Sequence, residues 1–384
     1  MSTPERLDTG ADQPGPRAEA DAGLDMTEPT ETEVDEPFVP SPLARARCGF
    51  LHIPKAAGTS IRTAMVRAYG TDNLSPFVFD EVLFGDFSAW HTVADRLAAL
   101  ILHPGQHLTD ADRSMRAVAG HLSYRSITSL VDAADVFTVL REPRSRVLSH
   151  QLFWSVMPEF VAEEYGEYQV HRTAFDGLKR FLADPAAAHQ SDNLHVRMLA
   201  DLDIDPTRPL SAHERDDAAS AALATLGRLG CTTFVESPSF WRDIATFVGL
   251  EGDEIRENIT GSGNVPTPFG GPQFDHETIE MLDERTAADS IVYRRVVAAA
   301  LGLDERGAAA FADRIFLMQV ERYGRVLARA EMLDDLARVT AAAAPPPPPP
   351  APDPEPEPEP VPEPRVRTGL GILARRIIRA ARGR

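Results

Sequence analysis

The sequence predicts an α/β fold, a central parallel sheet flanked by helices in three layers. Two observations carry this. Short apolar runs that read as buried strands alternate with helical patterns, and two of those runs stop abruptly at polar, small-residue loops followed at once by a helix.

The elements follow in order. Residues 1–40 hold 11 acidic and 2 basic side chains and little that packs, so they read as a disordered acidic arm. Residues 41–344 carry nearly all the large apolar side chains and form the folded unit. Within it 48–53 (CGFLHI) reads as a strand and 59–69 as the helix after it. Residues 116–119 and 135–140 (DVFTVL) read as strands, the second leading into a helix over 143–153. Helices are expected at 192–202, 214–226, 237–248, 289–301 and 308–335, with a further strand at 232–235. Strand-helix alternation favours parallel pairing, because parallel neighbours need a crossover connection. Six prolines from Pro345 open a Pro-Glu alternation ending at Pro364, and 345–364 is expected to be an extended polyproline II spacer. The last segment, 365–384, has seven arginines and no acid. At about 100° per residue, Leu370, Leu373, Ile377 and Ile378 fall opposite Arg375, Arg376, Arg379 and Arg382, with Ile372 an exception on the arginine side. Such a basic amphipathic helix lies on an anionic membrane surface, docks on an acidic partner, or folds back on its own acidic chain.

Composition excludes several classes. The net charge is −19, which argues against a general nucleic-acid binder. Two cysteines, Cys48 and Cys231, make no disulfide scaffold, and no Cys/His cluster has zinc spacing. With no apolar leader and no run of about 18 uncharged apolar residues, a cytoplasmic protein is expected, peripheral at the membrane if the tail binds there. Abundant Ala, Arg, Asp and Pro is the composition of a high-GC bacterial protein.

Two segments carry chemistry. In 50–60 a strand runs through Pro54, Lys55, Ala56, Ala57 and Gly58 into a helix starting at Thr59 or Ser60. Backbone N–H groups converge at that helix start, Lys55 adds positive charge, and the Thr59 and Ser60 hydroxyls donate, which together describe an anion site. An ordinary strand-to-helix turn capped by Ser or Thr is the plainer alternative. The spacing is not G-x-x-x-x-G-K-[ST], since Lys55 precedes Gly58, which disfavours a metal-dependent NTPase. In 136–150 a strand ends in Arg141, at the edge where open α/β sheets bind ligands, and Pro143 suits the first turn of the next helix. Ser149 reaches the same side from that helix, and a guanidinium with a hydroxyl suits a phosphate monoester. The alternative is a solvated helix start in which Arg141, Arg144 and Arg146 pair with Glu142.

Together the segments resemble the sulfotransferases that use 3′-phosphoadenosine 5′-phosphosulfate (PAPS), particularly the carbohydrate and heparan-type 2-O-sulfotransferase branch. That family has an HIPK-x-x-GTS loop for the 5′-phosphosulfate and an R-x-P-x-x-R-x-x-S motif for the 3′-phosphate. Here they stand as HIPKAAGTS at 52–60 and REPRSRVLS at 141–149, in that order. Weaker echoes are Gly120-His121, the segment 192–197, Glu236, Asn258 and the segment 289–293. The resemblance spans about 47–300 and implies a P-loop-like fold, PAPS as co-substrate without a metal, and a hydroxyl-bearing acceptor such as a carbohydrate or glycolipid. It implies that Lys55 contacts the bridging oxygen, that Ala57, Gly58, Thr59 and Ser60 hold the 5′-phosphate, and that Arg141 and Ser149 hold the 3′-phosphate.

Transfer also needs a base for the acceptor hydroxyl, and His is the usual choice. Of 11 histidines, His121 leads, because it follows a strand and Gly120 and resembles the family's catalytic position; its alternative is a structural or surface role. His52, inside the first strand, reads as a buried member of the motif, and His150 and His195 as helix residues near the site, with Glu236 a distant substitute. Asn193 and Arg197 share a helical face at i and i+4 and either line the acceptor cleft or form a solvated polar face. Trp90, Trp154 and Trp241 either stack on a sugar or pack. Two other classes fit parts of the pattern. One is a P-loop-like kinase, which needs acidic metal ligands at a strand end, whereas Asp132 and Asp135 precede one; the other is a non-catalytic nucleotide-binding scaffold.

Overall fold

The computed structural model describes residues 47–75, 78–80, 101–102, 115–250 apart from 165, 201, 203, 204, 206 and 207, and 274–343. The acidic arm, the Pro/Glu segment and the basic tail, with Trp90 and Asn258, lie outside the described residues.

Six strands form one all-parallel sheet: β1 (Cys48–Leu51), β2 (Val78–Asp80), β3 (Ile101–Leu102), β4 (Ala117–His121), β5 (Val136–Leu140) and β6 (Cys231–Phe234), in the order β3-β2-β4-β1-β5-β6. The four longer strands β4-β1-β5-β6 make its main body. β1 and β5 are buried along their whole length, which is why they read as unbroken apolar runs. The α/β architecture with a parallel sheet is therefore as expected. After β1 the chain builds β2, β3 and β4 on one side, then crosses to β5 and β6 on the other. β1 is thus the switch point, and the crevice beyond the ends of β4, β1 and β5 is where such sheets bind ligands.

Helix α1 (Gly58–Tyr69) buries Ile61, Ala64, Met65 and Ala68, the i, i+3, i+4, i+7 stripe that holds a helix on a sheet. The two sheet faces are covered by different helices. On one, Phe50 stacks on Phe137 at 4.7 Å, and Phe137 meets Phe247 of a later helix at 5.4 Å. On the other, a Cβ added to Gly49 would touch Ile127 of α2 (Tyr124–Thr128) at 3.3 Å.

The remaining helices are α3 (Pro143–Ser155), α4 (Glu159–Glu164), α5 (Tyr168–Phe175), α6 (Leu178–Ala183), α7 (Ala188–Ser191), α8 (Leu194–Leu199), α9 (Ala212–Leu226), α10 (Phe240–Val248), α11 (His276–Arg285), α12 (Ala287–Leu301) and α13 (Glu305–Ala343). A second core, beside the one on the sheet, joins Val147, Leu152, Phe181, Leu282 and Phe316 from α3, α6, α11 and α13. It anchors α3 along its length, which fixes the segment that begins at Arg141. No described helix is long and apolar enough to cross a membrane.

Candidate functional site

The chain leaves β1 at Leu51 and turns through 52–57 into α1. Lys55 (φ 67°) and Ala57 (φ 59°) both take the left-handed conformation, which costs a non-glycine residue about 1 kcal/mol or more. They are two of the three non-glycine positive-φ residues among those described, so the strain is concentrated in this loop. The loop is closed by Ala56 N donating to Ile53 O at 3.2 Å. Helix α1 has no side-chain cap bond and no acid in its first turn, so its N-terminal dipole is not answered locally. Gly58 opens the helix because nothing larger fits: a Cβ there would lie 1.8 Å from His52 Nε2. Thr59 is exposed and Ser60 buried.

Arg141 is the first residue beyond β5, and its Nη1 donates to the Lys55 carbonyl at 2.9 Å. The two sequence motifs are therefore joined directly. Behind Arg141, Glu236 Oε1 accepts from Glu142 N at 3.1 Å and its Oε2 from the Tyr293 hydroxyl at 3.0 Å. Burial raises the Glu236 carboxyl above its ordinary value, with Arg141 opposing. Burial likewise lowers Arg141, and Glu236 and Glu142 oppose that; a guanidinium stays charged throughout. Glu142 caps α3 by accepting from Ser145 N at 2.7 Å and Ser145 Oγ at 2.6 Å, with Pro143 at the first helical position. Ser149 is buried on α3, six residues on.

His121 ends β4, on the other side of β1. Its Nδ1 lies 2.7 Å from the His52 carbonyl. A carbonyl only accepts, so Nδ1 carries the proton and the ring's lone pair sits on Nε2. Burial, helped by Lys55, pushes His121 down to about 4, while the bond to His52 opposes. The imidazole is thus neutral near pH 7, in the tautomer a proton acceptor needs. His52 stacks on Phe50 at 5.0 Å and lies 4.5 Å from the His121 ring; burial first, then His121, holds it well below its ordinary value. Lys55 is brought down to about 8 by burial and then by Arg141, and its Nζ lies 4.2 Å from the centroid of Phe153. At neutral pH it remains mostly an ammonium.

The other candidates sit in the scaffold. Trp154 Nε1 donates to His150 Nε2 at 3.2 Å, so His150 Nδ1 bears the proton and donates to Gln190 O at 3.2 Å. Both of its nitrogens serve packing. His195 is fully buried, its backbone N donating to Asp289 Oδ2 at 3.1 Å. Asn193 and Arg197, expected to line an acceptor cleft or form a solvated face, do neither: they are 0% and 5% exposed. Asn193 Oδ1 accepts from Ala288 N at 2.8 Å, capping α12 from a distance, and its own N donates to Arg285 O at 2.6 Å. Arg197 donates to Asp192 Oδ2 at 2.7 Å and to the carbonyls of Asp192, Asp205 and Arg208. Trp154 is buried.

Sequence reasoning passes over three participants. Glu142 reads from the sequence as a partner for arginines at a solvated helix start, although an acid just before Pro143 is also a cap signal. Phe153 gave no signal, because its place under Lys55 is tertiary. Asp80 ends β2 beside the strand of His121 and accepts from Ser123 N at 3.1 Å and Ser123 Oγ at 2.6 Å, fixing the turn after β4; an acid closing the run Phe77 to Phe79 was the readable clue.

No family model matches the chain, and no curated protein matches it.

Proposed function

We propose that the chain transfers a sulfuryl group from PAPS to a hydroxyl of a carbohydrate, glycolipid or related metabolite, with 52–60 acting as a P-loop-like anion loop. One observation carries this reading: Arg141 holds the carbonyl of Lys55, so the two motifs form one cationic unit at adjacent strand ends, with His121 facing from the third. The donor set fits a polyanionic nucleotide. It comprises the N-terminus of a 12-residue helix without a side-chain cap, a guanidinium, and a lysine that forms no ion pair among the described residues.

In this reaction PAPS supplies the sulfuryl group. Its bond to the bridging oxygen breaks as the acceptor oxygen bonds to sulfur, in line, and the 3′,5′-bisphosphate leaves. Lys55 stabilises the negative charge that grows on the leaving oxygen, the point where a loose transition state concentrates it. Arg141, with Ser149, holds the 3′-phosphate and keeps the loop in its strained conformation. His121 Nε2 receives the acceptor's proton, while Nδ1 stays on the His52 carbonyl so the ring cannot turn away.

Isothermal titration of 3′-phosphoadenosine 5′-phosphate (PAP) into the full-length protein tests the reading, with AMP and ATP as controls. Micromolar PAP binding without Mg²⁺, weak for AMP and lost in Arg141→Ala and Lys55→Ala, is the expected result. No PAP binding together with Mg²⁺-dependent ATP binding overturns it in favour of a kinase.

A further inference from the structure

Lys55 is fastened at its backbone by Arg141, and a different group meets its tip. Nζ lies 4.2 Å from the centroid of the Phe153 ring. That ring is 38% exposed, yet it is not loosely held. Phe153 meets Trp154 edge-on at 5.4 Å, and Trp154 is tied through His150 to the Gln190 carbonyl in the interior. A lysine tip has four rotatable bonds and a strongly hydrated charge, so a half-buried site neither orients it nor replaces its water unless something attracts it. The charged and titratable groups facing Lys55 are Arg141 beyond β5, His52 in the loop, His121 at the end of β4 and His150 on α3. None is an acid, and each repels the ammonium when charged. The electron-rich face of an aromatic ring attracts a cation where an aliphatic side chain of similar size does not.

We propose that Phe153 is the positioning residue for the Lys55 ammonium, pinning it beside the 52–60 loop through the face of its ring. The consequence for catalysis rests on the function proposed above; the placement of the amine does not.

The chain has two lysines, Lys55 and Lys179, so NMR of full-length protein carrying ¹³Cε,¹⁵Nζ-lysine resolves each titration. Lys179 is the internal control, an amine whose pKa is raised by Glu277 and Asp275 on a distant helix pair. Phe153→Leu and Phe153→Met remove the ring face while filling the space, and Phe153→Tyr restores it. The expected result is that Lys55 titrates lower by roughly half a pH unit in the Leu and Met variants. It returns in Tyr, Lys179 stays unmoved throughout, and PAP binding weakens several-fold in Leu and Met alone. An unchanged Lys55 titration in Leu and Met, or equal shifts in Leu and Tyr, overturns the proposal. A clean split between Leu and Tyr in a protein that never binds PAP leaves the positioning role standing and removes the sulfotransferase reading.

Discussion

Two polar clusters in this molecule use the same residue types and settle their charge in opposite ways. Around Asp192 and Asp289 the carboxylates are answered from within: Asp192 receives Arg197, Arg285 and the Leu210 N–H, and Asp289 receives the N–H groups of His195 and Val196. Around Lys55 and Arg141 the answer is uneven. Arg141 has Glu236, which also accepts from Tyr293, and Glu142 opposite it, whereas Lys55 has a ring in place of a carboxylate, and His52 and His121 are held neutral by burial. A buried cation without an anion is costly, and a site that tolerates one is completed by what it binds. The first cluster closes its charge within the fold, and the second leaves one ammonium, Lys55, without a carboxylate, as the proposed site requires.

The sharpest way to break this division is to swap the readouts. Asp192→Ala removes an acceptor shared by two arginines and a backbone N–H, and it is expected to cost about 3–5 kcal/mol in urea unfolding. Arg141→Ala is expected to cost PAP affinity on the order of 100-fold, with a smaller loss than Asp192→Ala in the same unfolding curve, because Arg141 also holds the Lys55 carbonyl. If Asp192→Ala kept its stability and lost PAP binding, the internal cluster would belong to the site after all.

Acid should act on both clusters at once. His52, His150 and His195 are buried and held well below the ordinary histidine value, chiefly by burial. A depressed histidine is neutral when folded and charges on unfolding. As pH falls below about 6.5, the unfolded chain therefore takes up protons that the native chain refuses. Each such group withdraws up to about 1.4 kcal/mol of stability per pH unit until its own folded value is reached. Asp289 opposes this: raised to about 6, mainly by burial, it takes its proton first in the folded state and returns stability below pH 6. His121, pushed down to about 4, adds a fourth loss, and Glu236, also raised by burial, a second return. Four losses outweigh two returns, so urea midpoints measured from pH 7.5 down to 5 should fall steadily. A flat profile would mean that these rings are not buried neutral.

How much of this was legible depended on range. β1, β5 and β6 lie within two residues of the expected strands; for β1 and β5 the reason is that a strand buried on both faces is an apolar run whatever surrounds it, while the edge strand β6 is only half buried. Lys55 and Arg141 were legible for a related reason: each is the first full charge after such a run. β2 and β3, three and two residues long, are too short to show a period, and so are α4, α6 and α7. The expected helix over 192–202 shrinks to α8 because Asn193 turns left-handed (φ 48°) and Ala200 is extended. Asn193 and Arg197 misled because i, i+4 polar spacing is the same whether a face meets a ligand or an internal carboxylate. Only the partners themselves, the neighbouring Asp192 and the distant Ala288, separate the two.

A milder test acts on the loop itself. Gly58→Ala drives a Cβ into the His52 ring, which is held between Phe50 and His121 and has little room to yield. Overpacking of this kind costs roughly 1–3 kcal/mol. Because His52 also supplies, from its backbone, the carbonyl that holds His121, PAP binding and the proposed acceptor reaction should fall together. Retention of both in Gly58→Ala would show that the helix start does not depend on this contact.

The smallest effect probes the scaffold at its most site-like residue. Asn193 has what a ligand-binding side chain has: a polar amide, a strained backbone at φ 48° and a place in a stretch that echoes a functional motif. Its Oδ1 is nevertheless spent on Ala288 N at the start of α12, and its Nδ2 on Asp192 at 3.2 Å. Asn193→Ala leaves that N–H buried without an acceptor and puts alanine in a left-handed conformation, for a combined loss of about 2 kcal/mol. Asn193→Gly relieves the backbone and should recover about half of it. The ordering Asn, then Gly, then Ala in thermal unfolding, with PAP affinity unchanged across all three, is what a closed cluster predicts. A variant that bound PAP tenfold more weakly while unfolding normally would move Asn193 across the line, into the group whose charge and polarity await a ligand.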